Sequence, residues 1–228
     1  MQGDLRAFRA GGLATIVAGI LVLATIPLIP VLIPSLNPPS AQAGLQALET
    51  QGALYALTWI LYLVSDILYL AGFYAFYSAF RLSSRTTVGV AFVFTVIFVA
   101  IDVGLDIPLR LSLIGLSNSY LSATSSQHAS IVASAQQAMD MSNIAALVAT
   151  LFQFLALILF SYVLPRRSEF RKGFSYLGLA CGVIALLFIP AFLAQSMLAG
   201  LFNILGFVLL VVWSLGAGRA LLKLKSRD

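Results

Sequence analysis

The chain alternates between long apolar runs and short polar breaks. Six runs stand out, at about 11–34, 53–80, 86–108, 141–164, 174–197 and 200–221. A helix needs roughly 20 apolar residues to cross a bilayer, and each run meets that length. The runs are too long for barrel strands and lack a period of two. Lipid offers no partners to backbone N–H and C=O groups, so such segments are helices. The pattern predicts an all-α, polytopic membrane protein. It has six transmembrane helices and a single transmembrane domain over residues 1–228.

Composition supports this reading and narrows it. Hydrophobic residues make up 61% of the chain and charged residues 9%, against about 25% charged in soluble domains. No separate soluble domain is expected. The net charge of +5 does not point to nucleic acid, because the basic residues sit in short clusters at helix ends.

Those clusters set the orientation. Arg6 and Arg9 precede the first run, and Arg81 and Arg85 separate the second from the third. Arg166, Arg167, Arg171 and Lys172 separate the fourth from the fifth, and Arg219, Lys223, Lys225 and Arg227 follow the sixth. With six spans all twelve fall on one side, and only Arg110 falls on the other. The positive-inside rule then places both termini in the cytoplasm of a cell-membrane protein whose constant partner is the lipid bilayer. Residues 1–43 also imitate a secretory signal, ending in Ala41-Gln42-Ala43. The apolar run exceeds the 7–15 residues of a signal core, so it is read as a span.

The outer breaks are expected to be loops. Residues 35–52 contain Pro38-Pro39, a turn signal. Residues 111–140 are rich in Ser, Ala and Gln, and Leu113, Leu116, Tyr120, Ile131 and Val132 suggest a short helix lying on the membrane surface. Pro27, Pro30 and Pro34 should bend or loosen the end of the first span. Pro108 and Pro190 raise the same question singly. Gly178 and Gly182 form a GxxxG pair, which serves close packing within a bundle as readily as dimerisation.

The second run carries a regular stripe, Tyr55, Trp59, Tyr62, Asp66, Tyr69, Phe73, Phe76 and Phe80. The spacing alternates four and three, as in a heptad seam. Asp66 is its one non-aromatic member and falls near the bilayer midplane. A carboxylate there costs on the order of 3 kcal/mol, so it should face the protein interior. Tyr62 and Tyr69, one turn away on either side, can donate hydrogen bonds to it.

In the third run, Asp102, Asp106 and Arg110 share one helix face at i, i+4 and i+8. Arg110 can pair with Asp106, which leaves Asp102 without a partner on its own helix. Asp102 and Asp66 lie at similar depth. Asp140 and Asn143 mark the outer start of the fourth run, where Asp140 suits a helix cap, and Gln153 lies near mid-depth. Two readings stay open. In one, Asp66 and Asp102 face each other and carry a proton or coordinate a cation. In the other, Asp66 bonds to the tyrosines, Asp106 pairs with Arg110, and both lock helix packing.

Several chemistries are excluded. His128 is the one histidine and Cys181 the one cysteine, so bis-His haem, multi-His zinc and multi-Cys sites are impossible. No lysine lies within a span to form a Schiff base. His128 reads as a solvated loop residue, or as a ligand with Asp140 or Asp106 at an outer site. No phosphate loop or GxSxG element is present. No cofactor, no metal and no enzymatic activity are expected.

Arg9, Gly11, Gly12 and Leu13 open the first span, Pro165 and Arg166 close the fourth, and Gly173, Gly178 and Gly182 mark the fifth. In these features the chain resembles a bacterial and archaeal family of uncharacterised six-span membrane proteins of about this length. The resemblance implies a fold and no function. The leading functional expectation is an accessory or structural subunit of a larger membrane complex, or a homo-oligomer, with the aromatic stripe as partner surface. The alternative is a small transporter or proton- or cation-coupled carrier using Asp66 and Asp102.

Overall fold

The computed structural model describes residues 2–194, 196 and 198–224. Lys225 and Arg227, two of the basic positions after the last span, lie outside the described residues. Among the described residues the protein is entirely helical, without strands. Helix α1 (Gln2–Thr25) leads through a 3-10 turn (Ile26–Leu28) into α2 (Ile29–Leu36). Helix α3 spans Ala41–Phe80. Helix α4 (Arg85–Ile101) runs through a π turn (Asp102–Asp106) into α5 (Ile107–Ser122). Then follow α6 (Ser125–Val163), α7 (Lys172–Leu193) and α8 (Leu198–Leu222).

Among the described residues six helices are long and apolar enough to cross a membrane: Leu5–Leu36, Ala41–Phe80, Arg85–Ser122, Ser125–Arg166, Lys172–Leu193 and Leu198–Leu222. The first ends as its prolines dictate. Pro27 occupies the start of the 3-10 turn and Pro30 the start of α2, where a missing N–H costs nothing. Spatial neighbours run α1–α3–α4–α6–α7–α8 and back to α1, and α3 also touches α6.

Small residues permit the closest approaches. A Cβ on Gly12 would lie 2.8 Å from the Gly218 carbonyl oxygen, and one on Gly19 would lie 2.9 Å from the Ser214 Cβ. Helix α1 thus lies almost backbone to backbone against α8. In α7, Gly178 sits against Ser161 and Trp213, and Gly182 against Ile158 and the Phe154 carbonyl. The GxxxG pair therefore packs within the bundle. Where lipid supplies no hydrophobic drive, dispersion across such close seams holds helices together.

The outer breaks are largely helical, with short turns at 37–40, where Pro38-Pro39 lies as expected, and at 123–124. Helix α3 starts at Ala41, twelve residues before the expected 53, with Ser40 accepting a hydrogen bond from the Ala43 N–H. The surface helix expected in 111–140 is instead the end of α5 and the start of α6. Their turn is closed by a capping box of Thr124 and Gln127. Helix α3 holds 40 residues, about 60 Å at 1.5 Å per residue, twice the roughly 30 Å hydrocarbon core. Its extra length meets α2, α5 and the start of α6 around a second apolar core. Leu32, Leu45, Leu48, Tyr55, Leu113 and Tyr120 are buried there. Ser117 Oγ donates to the Leu45 carbonyl at 2.6 Å and Gln51 Nε2 to the Val31 carbonyl at 3.0 Å. We term this end the cap.

The exposed surface changes where the cap begins. On α3 the outward residues pass from Gln46, Glu49 and Thr50 to Leu57, Ile60, Val64 and Ile67. On α6 they pass from Gln137 and Asp140 to Ile144, Val148 and Leu151. Polar side chains face outward in the cap and aliphatic ones below it, as expected where water gives way to lipid. At the other end, Arg166 Nη1 donates to the Ser83 carbonyl at 3.2 Å and to Ser84 Oγ, joining the α3–α4 and α6–α7 turns. This is the basic end of the bundle.

Candidate functional site

The site lies on α3 and on the π turn between α4 and α5, midway between the cap and the basic end. Pro108 has no N–H, so the α-helical bond to the turn before it cannot form. The Ile107 N–H instead reaches the Asp102 carbonyl, five residues back. π turns of this kind recur at functional sites. Here the turn begins at Asp102 and ends at Asp106.

Asp66 is 3% exposed. The Asp102 carboxyl stands within hydrogen-bonding reach of the carboxyls of both Asp66 and Asp106. Asp66 and Asp102 therefore meet. Asp106 goes on to Arg110, whose Nε donates to Asp106 Oδ1 at 2.8 Å, with the side chains 4% and 12% exposed. The guanidinium lies over the Trp59 ring, 4.3 Å from its centroid. The four side chains thus form a row, Asp66–Asp102–Asp106–Arg110, from mid-bundle to the foot of the cap.

The tyrosines flanking Asp66 do not serve it. Thr25 Oγ1 lies 2.7 Å from the Val22 carbonyl and 3.1 Å from the Tyr62 hydroxyl. Thr25 Oγ1 is the donor in both contacts, its hydroxyl shared between the carbonyl and the Tyr62 oxygen. Ser214 Oγ likewise donates to the Leu210 carbonyl at 2.7 Å and receives the Tyr69 O–H at 3.0 Å. Both tyrosine hydroxyls are engaged by other helices, Tyr62 by α1 and Tyr69 by α8, and neither bonds to Asp66. Asp66 Oδ2 is left buried with no hydrogen-bond partner. Leaving a buried acceptor unpaired costs about 1–3 kcal/mol, so the packing role assigned to a tyrosine-bonded Asp66 has no basis in the geometry.

Below Asp66 the stripe of α3 is aromatic. Phe73 stacks on Phe160 at 5.0 Å and lies 6.0 Å from Trp213, and Phe76 meets Phe160, Trp213 and Phe170. Phe80 closes the column against Phe170. The aromatic stripe of α3 thus points into the bundle, where Asp66, Tyr69, Phe73, Phe76 and Phe80 are all buried. Trp59 and Tyr62, farther up the same stripe, are half-buried.

The remaining candidates lie elsewhere. Asp140 is not at a helix start. It lies four turns into α6, exposed, and accepts from Gln136 Nε2 at 2.9 Å. Asn143 is exposed on the same helix. His128 rests on the Tyr120 ring, centroids 4.4 Å apart. Twelve residues of α6 separate it from Asp140, about 18 Å, so the two cannot share a metal. Among the described residues no group of three or more His, Cys, Asp or Glu side chains could hold a metal ion. Thr25 and Ser214, the partners of the tyrosines, carry no sequence signal, being small hydroxyls in otherwise apolar spans. No family model, curated protein or solved structure matches the chain.

Proposed function

We propose that this chain is a proton-coupled carrier whose proton site is the Asp66–Asp102 pair, with the basic end and both termini in the cytoplasm. The observation that carries the reading is the buried, donor-less carboxyl of Asp66 beside a second carboxyl. A carboxyl hydrogen-bonds to another carboxyl only through a shared proton. A group kept at such cost in a membrane core is functional by default. The row through Asp102, which is half-buried, and Asp106 supplies stepping stones toward the cap. The aromatic column isolates the site from the basic end. A carrier needs that asymmetry, since a path open at both ends would leak protons.

One support for the subunit reading was the aromatic stripe as a partner surface, and the stripe residues from Asp66 to Phe80 are buried in the bundle. Native-gel migration of the protein extracted in mild detergent separates the two readings. A carrier migrates alone or as a homo-oligomer, and a subunit with stoichiometric partners.

The test of function is proton uptake into liposomes holding the purified protein, driven by a potassium–valinomycin potential and read by an entrapped pH dye. Asp66→Asn, of nearly equal volume, should lower the protein-dependent rate roughly a hundredfold with helical content unchanged. Equal rates in the variant and the parent would remove Asp66 from the path. Orientation has its own test. Ser125 is exposed at the tip of the cap and Cys181 is buried. A Ser125→Cys variant in intact cells should react with an impermeant maleimide while the parent stays unlabelled. Labelling only after lysis would reverse the assigned orientation.

A further inference from the structure

We propose that the Asp66–Asp102 pair binds a small organic cation bearing N–H donors, a guanidinium or a protonated amine, in exchange for the shared proton. The inference rests on the proton-site reading above and names what the proton is exchanged for.

The molecule already holds one such cation. Arg110 lies face-on to Trp59 and bonds to Asp106, a carboxylate and an aromatic face closing on one guanidinium. Cations are held well over an aromatic face when water is excluded. One helical turn deeper the same elements recur. Asp102 stands four residues before Asp106, and Tyr62 stands three after Trp59, its ring 6.0 Å from Phe207. Asp66 adds a second carboxyl, and Tyr62 lies within electrostatic reach of both Asp66 and Asp102. Neither of these carboxyls has an ion-pair partner among the described residues. The deeper set lacks only the cation.

Asp66 Oδ2 gives the second, independent indication. It is buried, it has no donor, and both neighbouring tyrosine hydroxyls are committed elsewhere. A guanidinium or ammonium group brings N–H donors and positive charge together, which is what the pair lacks. A bare metal ion fits less well, because Asp66, Asp102 and Asp106 form a row and no metal-holding cluster. The exchange balances. The O–H bond of the shared proton breaks, the proton leaves through half-buried Asp102, and the two carboxylates accept N–H bonds from the cation. One positive charge enters for each that leaves.

The experiment uses the full chain in detergent, weakly buffered, with a pH indicator dye. Millimolar guanidinium chloride should release about one proton per protein in a saturable manner. Sodium or potassium chloride at equal ionic strength should release at least about tenfold less, since neither offers N–H donors. Asp66→Asn should abolish the release, and Asp102→Asn, at a half-buried and more forgiving position, should do the same with circular dichroism unchanged. The proposal fails if folded parent protein releases nothing, if sodium releases as much, or if release survives Asp66→Asn. Potential-driven proton uptake that persists while guanidinium releases nothing would leave the proton site standing and remove the organic cation.

Discussion

Replacing Arg110 by methionine should destabilise the folded bundle by about 3–5 kcal/mol, the usual cost of removing one partner from a buried ion pair. The pair is well shielded, at 12% and 4% exposure, and its bond is short at 2.8 Å. Arg110 also covers Trp59, which adds about 0.5–2 kcal/mol of cation–π attraction. The variant strands Asp106 at the foot of the cap with no counter-charge. The double variant Asp106→Leu with Arg110→Met should recover most of the loss, because an ion pair replaced by apolar groups of similar size is often neutral or stabilising. Unfolding of the four proteins in mixed micelles gives the cycle. A single-variant cost under about 1 kcal/mol, below the cited range, would show that the pair does not anchor the π turn.

The second large effect is expected at the α1–α8 seam. Gly218→Val should prevent native packing of α1. A Cβ there would lie 2.8 Å from the Gly12 carbonyl oxygen and 2.7 Å from Ile16 Cγ1. The first is backbone and cannot rotate away, so the helices must separate along their length. Overpacking costs about 1–3 kcal/mol where side chains can adjust, and more is expected where they cannot. The matched control is Gly89→Val in α4, where an added Cβ meets nothing within 4 Å. Thermal aggregation in detergent should show a much lower midpoint for Gly218→Val and no drop for Gly89→Val. Equal midpoints would mean that the seam opens at little cost.

The six spans were legible because apolar runs of this length have few other uses. The cap was not, because its cores are built from residues that hydropathy counts weakly. Ala135, Ala138, Ser142, Ala145 and Ala149 form the buried face of α6, and on paper they merge with the exposed Ser and Gln around them. The one plain signal was Thr124 with Gln127 three residues on, a capping box that marks a helix start sixteen residues before the apolar run begins. In the site, the matching depths of Asp66 and Asp102 were readable by counting residues along two antiparallel helices. The Asp106–Arg110 pair followed from i, i+4 spacing. The tyrosine partners were not readable. Whether Tyr62 turns to Asp66 or to Thr25 depends on which helix lies beside α3, and a single sequence does not carry that neighbour relation.

The uncharged α5–α6 hairpin of the cap bears on how the protein enters its membrane. Residues 111–139 hold no Asp, Glu, Lys or Arg, yet they form the water-facing hairpin of α5 and α6. In the proposed orientation, with the basic end in the cytoplasm, that hairpin has to be carried through the lipid during biogenesis. Hydroxyl and amide side chains can bond back to their own helix on the way. Ser119 does so to the Gly115 carbonyl, Ser122 to Asn118, and Ser134 to Ser130. Charged groups would each raise the barrier to crossing by a few kcal/mol. The Ser- and Gln-rich composition that reads as a featureless loop therefore suits a folded element that has to be translocated before it can be solvated.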